Sequence, residues 1–133
     1  MLRRLPLADP VHGTDYAEAR QWAREWTRTL EQTFERVDVI VAPVNAMTAP
    51  LAADCETIET TRRLTRLTYA WALAGIPCLA LPCGLADGLP VGFQIAAAPF
   101  RESTLFAVGT EYQRATDWHL RRPALAEVEG VRR

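Results

Sequence analysis

A chain of 133 residues, 49% hydrophobic and 23% charged, has the composition of an ordinary globular protein and is long enough for one domain that buries about two thirds of its unfolded surface. Its net charge of −1 supplies no field to attract nucleic acid or an anionic membrane surface. No apolar run approaches the roughly 20 residues of a membrane span, and "MLRRLPLADP" lacks the apolar core of a secretion signal, so neither nucleic acid nor membrane is an expected partner and the cytoplasm is the expected compartment.

The lead-in, residues 1–14, gives way to a helix expected from Asp15 to Arg36. Tyr16, Ala19, Ala23, Trp26, Leu30, Phe34 and Val37 recur at steps of three and four, the period of one helix face, and Asp15 with Glu18 is a candidate capping pair. Arg20, Arg24 and Arg28 form a row on the other face, but Glu25, Glu31 and Glu35 lie beside them. That mixture describes a solvated surface rather than a phosphate track. Next comes "RVDVIVAP", whose Val37, Val39, Ile40, Val41 and Ala42 do not alternate with polar residues. Such a run predicts a short parallel strand covered on both faces and closed by Pro43.

A Pro- and Ala-rich loop runs to residue 54. In "ETTRRLTRLTYAWALAG" the stripe Leu64, Leu67, Trp71 and Ala74 predicts one second helix, ended by a left-handed cap at Gly75. Cys78 to Leu81 reads as a buried strand, residues 84 to 89 as a turn and Val91 to Ala97 as a strand. Val91, Phe93 and Ile95 fall on one face of that strand, and the thin residues Gly92, Gln94 and Ala96 on the other. A third helix starts at Ser103, the candidate cap, with Leu105, Val108, Tyr112 and Ala115 on its face. The expected architecture is α/β, with helices layered on a small, mixed, largely apolar sheet in residues 15–117 and a tail in residues 118–133, loose from Arg121 onward.

Chemistry-bearing residues are few. All 15 basic residues are Arg, and the only Ser is Ser103. Cys55, Cys78 and Cys83 are odd in number and have no CxxC spacing, so neither a metal site nor another cofactor is expected, and buried, inert thiols are the better reading. Cys83 or Cys78 with His12 or His119 is the one conceivable nucleophile and base set. The cysteines sit at or within an apolar strand and the histidines near the chain ends, which argues against it. Trp22, Trp26 and Trp71 suggest a ligand cage at first sight, yet Trp26 and Trp71 lie on helical core stripes.

The segments "YAEARQWAREWTRTLEQTFERVDVIVAPV", "TYAWALAGIPCLALPCG" and "GLPVGFQIAAAPFRESTLFAVGTEYQ" resemble the C-terminal part of the amidase signature family, serine hydrolases that cleave linear amides. Four blocks occur in the family's order: Asp38 to Pro43, Gly75 to Pro77, Pro82 to Gly84, and Gly88 to Gly92. At two positions where members often carry Asn and Thr, this chain has Ala72 and Val44. The resemblance implies a piece of a larger three-layer fold and a Ser-Ser-Lys mechanism. With no Lys and one Ser, none of these 133 residues is expected to be catalytic. A hydroxyl attacks an amide only with an adjacent base and donors for the developing oxyanion.

The implied partner is the catalytic N-terminal portion of an amidase. The alternative is a free-standing non-catalytic module that self-associates, or pairs with another protein, through its sheet edges. In open α/β sheets ligands gather beyond the carboxyl ends of strands, so Asn45 and Met47 after Pro43 are the expected pocket residues, with Trp71 as a further candidate.

Overall fold

The computed structural model describes residues 11–122. Helix α1 (Gly13–Phe34) leads into strand β1 (Ile40–Pro43), and a 3-10 turn (Ala52–Glu56) precedes the short helices α2 (Ile58–Thr65) and α3 (Tyr69–Ala74). Strands β2 (Cys78–Ala86) and β3 (Leu89–Ala96), helix α4 (Glu102–Ala115) and a last 3-10 turn (Trp118–Leu120) complete the order. Most of the expected lead-in and tail, residues 1–10 and 123–133, lies outside the described residues. Residues 13 and 14 already belong to α1, and Trp118 packs at Gly84.

The α/β class stands, but the sheet is antiparallel throughout, in the order β1-β3-β2. This corrects the expected parallel β1 and mixed sheet: Ile40 pairs with Ala96 and Pro43 with Phe93, running against β3. An apolar run reports burial and carries no information on strand direction. The expected six-residue turn is also too long. Asp87 and Gly88 alone connect β2 to β3, with φ of 52° and 78°, the pair of positive angles that a tight hairpin requires and that Asp-Gly adopts readily.

Helices lie on both faces, and they are offset. Leu30 of α1 and Trp71 of α3 pack on Ala96 with Ile40 and Ala42, over β1 and β3. On the opposite face Leu105 of α4 packs with Leu81, Ile95 and Ala97, and Gly109 brings α4 so close to β2 that an added Cβ would stand 2.8 Å from Leu79 Cδ2. Because α4 covers β2 and β3 only, Val41, which shares the face of Ile95 by register, is 61% exposed. On the other face the edge residues Cys78 and Ala80 are exposed. The expectation that β1 and β2 are covered on both faces, and that Cys78 and Cys83 are buried, is corrected accordingly.

Several boundaries have local causes. Gly75 does cap α3 in the left-handed region, φ 67°, and the N–H groups of Gly75 and Ile76 return to Ala72 O and Trp71 O. Asp15 and Glu18 do not form the expected pair. Asp15 sits in the first turn and its Oδ2 accepts from the His12 N–H at 3.3 Å. Ser103 lies inside α4, which begins at Glu102 after Arg101. The single second helix is in fact two, broken at residues 66–68. There the Leu67 carbonyl accepts a hydrogen bond from the side chain of Gln94 instead of continuing the helix ladder.

Candidate functional site

β1 pairs only with the Phe93–Ala96 half of β3, so the hairpin projects beyond it. The chain after Pro43 turns across the unpaired half, anchored where the Val44 N–H donates to Gly92 O at 3.1 Å. Gly92 permits the close approach of β2: a Cβ there would meet Leu81 O at 2.9 Å, whereas Val44 Cγ2 of the crossing loop, at 3.5 Å, would be in ordinary contact. Between the crossing loop and the hairpin lies an open cleft of about 870 Å³, walled by Asn45, Met47, Leu64, Cys83, Val91 and Phe93 among others.

Two of its features follow from local geometry. A register shift between Pro82 and Gly84 makes Cys83 the extra residue of a β-bulge, a device that re-aims a side chain, and Cys83 faces the cleft with its Sγ 3.7 Å from Val91 O. Asn45 Nδ2 donates to Leu64 O at 2.9 Å. That bond pins the loop to the end of α2.

Among the described residues the lining contains no Lys, Arg, His, Asp or Glu, and its titratable groups are the thiols of Cys55 and Cys83. Neither histidine lines it: His12 precedes α1 and His119 lies in the last 3-10 turn. Ser103 is exposed on α4. Cys78 stands apart, its Sγ 3.5 Å from Gln94 Oε1. The residue is exposed at the sheet edge, but partial desolvation of its sulfur pushes the thiol above the ordinary value, with the Leu79 backbone pulling the other way. Among the described residues no three His, Cys, Asp or Glu side chains gather to hold a metal ion. An apolar cleft with a few polar groups, and no acid or base at hand, is equipped to bind and orient.

Asn45 and Met47 thus come together at the cleft, and Trp71 does not join them. Trp71 is 8% exposed in the core under α1, its ring 6.4 Å from that of Trp26. Cys83, weighed from the sequence only as a conceivable nucleophile, and Leu64 and Phe93, read there only as packing residues, complete the walls. The Asp-Gly dipeptide, by lengthening both strands, was the available signal for Cys83 and Phe93. Leu64 enters through a long-range bond that no local pattern encodes.

The family model described as "Amidase" matches residues 3–106. A glutamyl-tRNA(Gln) amidotransferase subunit from Chloroflexus aggregans is 39% identical over 127 residues, covering 95% of this chain and 26% of its own length. The corresponding protein from Roseiflexus sp., which carries the same name, is 39% identical over 126 residues, with coverages of 94% and 26%. The structure of 6-aminohexanoate cyclic dimer hydrolase complexed with substrate superimposes with a TM-score of 0.71 at 27% identity, covering 92% of this chain and 29% of that one. The chain spans about a quarter of the length of the curated relatives it matches. With a family model that takes in most of its residues and relatives aligned along nearly all of it, the chain belongs to the amidase signature family.

Proposed function

We propose that this chain is the C-terminal portion of an enzyme that hydrolyses linear amide C–N bonds, that it supplies one wall of the substrate cleft, and that it is inactive alone. The observation that carries this reading is the cleft itself. It is shaped, largely apolar and furnished with Asn45 at its edge, yet no general acid or base lines it, and the chain has no Lys and only Ser103. Amide attack requires a nucleophile, a proton carrier and oxyanion donors, so these come from the catalytic N-terminal portion, in the cytoplasm, where its Ser-Ser-Lys residues face this wall. Asn45 and Met47 touch substrate there and Trp71 supports the wall from within the core.

The test is complementation. The purified chain is mixed with the Ser-Ser-Lys portion of a related amidase from which the matching region has been removed, and hydrolysis of simple amides is followed. Turnover in the mixture and none with either component alone is the expected result. Turnover by this chain alone that survives rigorous purification and disappears in Cys83→Ala overturns the reading.

A further inference from the structure

Gln94 is the one buried polar side chain among the described residues, 3% exposed. It sits in the C-terminal half of the middle strand, between Ala42 of β1 and Ala80 of β2, and both protons of its amide are used. Nε2 donates to Pro43 O at 2.8 Å, where β1 ends and the cleft loop begins, and to Leu67 O at 2.9 Å, inside the break between α2 and α3. Its Oε1 faces Cys78 Sγ. Two carbonyls that neither the sheet nor a helix satisfies are thus held by one side chain, 51 and 27 residues away in sequence.

We infer that Gln94 is a positioning residue that fixes the cleft wall by tying the cleft loop and the α2–α3 break to the sheet. Burying a primary amide among apolar residues is unfavourable unless its donors are met. Here the donors meet the two points from which the wall is hung. Leu67 O is turned toward Gln94 in the same break where the Thr68 N–H bonds Thr65 O rather than Leu64 O, which leaves Leu64 O to Asn45 Nδ2. Pro43 O fixes where the chain leaves β1, and Val44 then returns to Gly92 O. Gln94 and Asn45 act in series: the first sets the helix break, and the second fastens the loop to the helix end that the break creates. Calling the wall a substrate wall rests on the function proposed above; the clamp itself does not.

The test is hydrogen exchange on the full chain carrying Gln94→Met, which keeps length and removes both donors. The amides of Val44, Thr68 and Ala72, which close the loop and the helix break, are expected to exchange at least tenfold faster, while those of the β2–β3 ladder and α4 keep their rates. A clamp acts locally, whereas general weakening of the core accelerates every amide that exchanges by global unfolding. Uniform acceleration, or none at Val44 and Thr68, overturns the inference. If Gln94→Met does not fold, the side-chain amide protons of Gln94 in the unaltered chain decide: exchange at least tenfold slower than for the exposed Gln32 and Gln113 supports the clamp, and equal rates refute it. Where complementation restores activity, Gln94→Met raises KM at least fivefold with kcat within twofold, and a fall in kcat at constant KM contradicts a positioning role. Absence of activity in the unaltered mixture counts against the proposed function and leaves the exchange result standing.

Discussion

Two tryptophans meet across the α1–α3 contact, and replacing each by Phe separates packing from hydrogen bonding. Trp71 is the more deeply buried, and its Nε1 has no hydrogen-bond partner. Trp26 is half-buried, and its Nε1 donates to Ala70 O at 2.7 Å. Loss of the larger ring system costs about 1–2 kcal/mol at a fully buried site and roughly half that at Trp26. For Trp71→Phe, removal of an unsatisfied buried N–H returns about 1–3 kcal/mol, so the net change is close to zero. For Trp26→Phe the lost hydrogen bond adds about 1 kcal/mol, for a total near 2 kcal/mol. The less buried residue is therefore the more sensitive one. Urea unfolding of both variants, followed by far-ultraviolet circular dichroism at one protein concentration, measures the difference. If Trp71→Phe is the more destabilising by 1 kcal/mol or more, burial alone decides and the reasoning fails.

Gly92→Ala is expected to destabilise by about 1–3 kcal/mol, because its Cβ would meet the Leu81 carbonyl at 2.9 Å, a backbone atom that can move aside only by disturbing the β2–β3 pairing; thermal unfolding checks this. Cys78 is expected to react with iodoacetamide more slowly than Cys83 near neutral pH, since partial desolvation of its sulfur against Gln94 raises the thiol's pKa even though the residue is exposed at the sheet edge. A raised folded pKa contributes stability that is complete below the unfolded thiol's pKa of about 8.5 and is lost as pH rises through the folded value. The stability advantage over Cys78→Ala should therefore shrink above that pH. The offset helices leave Val41 and the strand edges uncovered, so sedimentation of the isolated chain should show concentration-dependent association. A monodisperse monomer with one sharp two-state transition would instead mark these residues as a complete domain.

Sequence patterns located the helices and strands in the right order because burial is periodic: Ala23, Trp26, Leu30 and Phe34 recur along one face of α1, and all four belong to the core side. Gly75 was legible for a local reason, the left-handed cap. What was not legible is held by contacts distant in sequence. The break after Thr65 depends on Gln94, and the direction of β1 depends on its pairing with β3. The hairpin turn is a different case, since Asp87-Gly88 carries its own local signal for a two-residue turn, narrower than the expected residues 84 to 89. At the site, Asn45 and Met47 are expected from a rule for parallel α/β sheets; the sheet is antiparallel, and both line the cleft because the chain after Pro43 crosses the unpaired half of the hairpin. Trp71 lies in the core with Leu30 and Ala96, while Leu64, expected on the same stripe, lines the cleft because the helix breaks between them.

The central claim is a division of labour, with the binding wall on this chain and the nucleophile on another segment. A phosphonylating probe of activated serines tests it directly, applied to this chain, to the Ser-Ser-Lys portion, and to their mixture, with labelled residues located by mass spectrometry. The account predicts no label on this chain under any condition, Ser103 included, because Ser103 is exposed on α4 with no lysine in the chain to activate it. In the mixture, label should rise on a serine of the other portion. Label at Ser103, or at Cys83 in the cleft, that is lost on heat denaturation would contradict it.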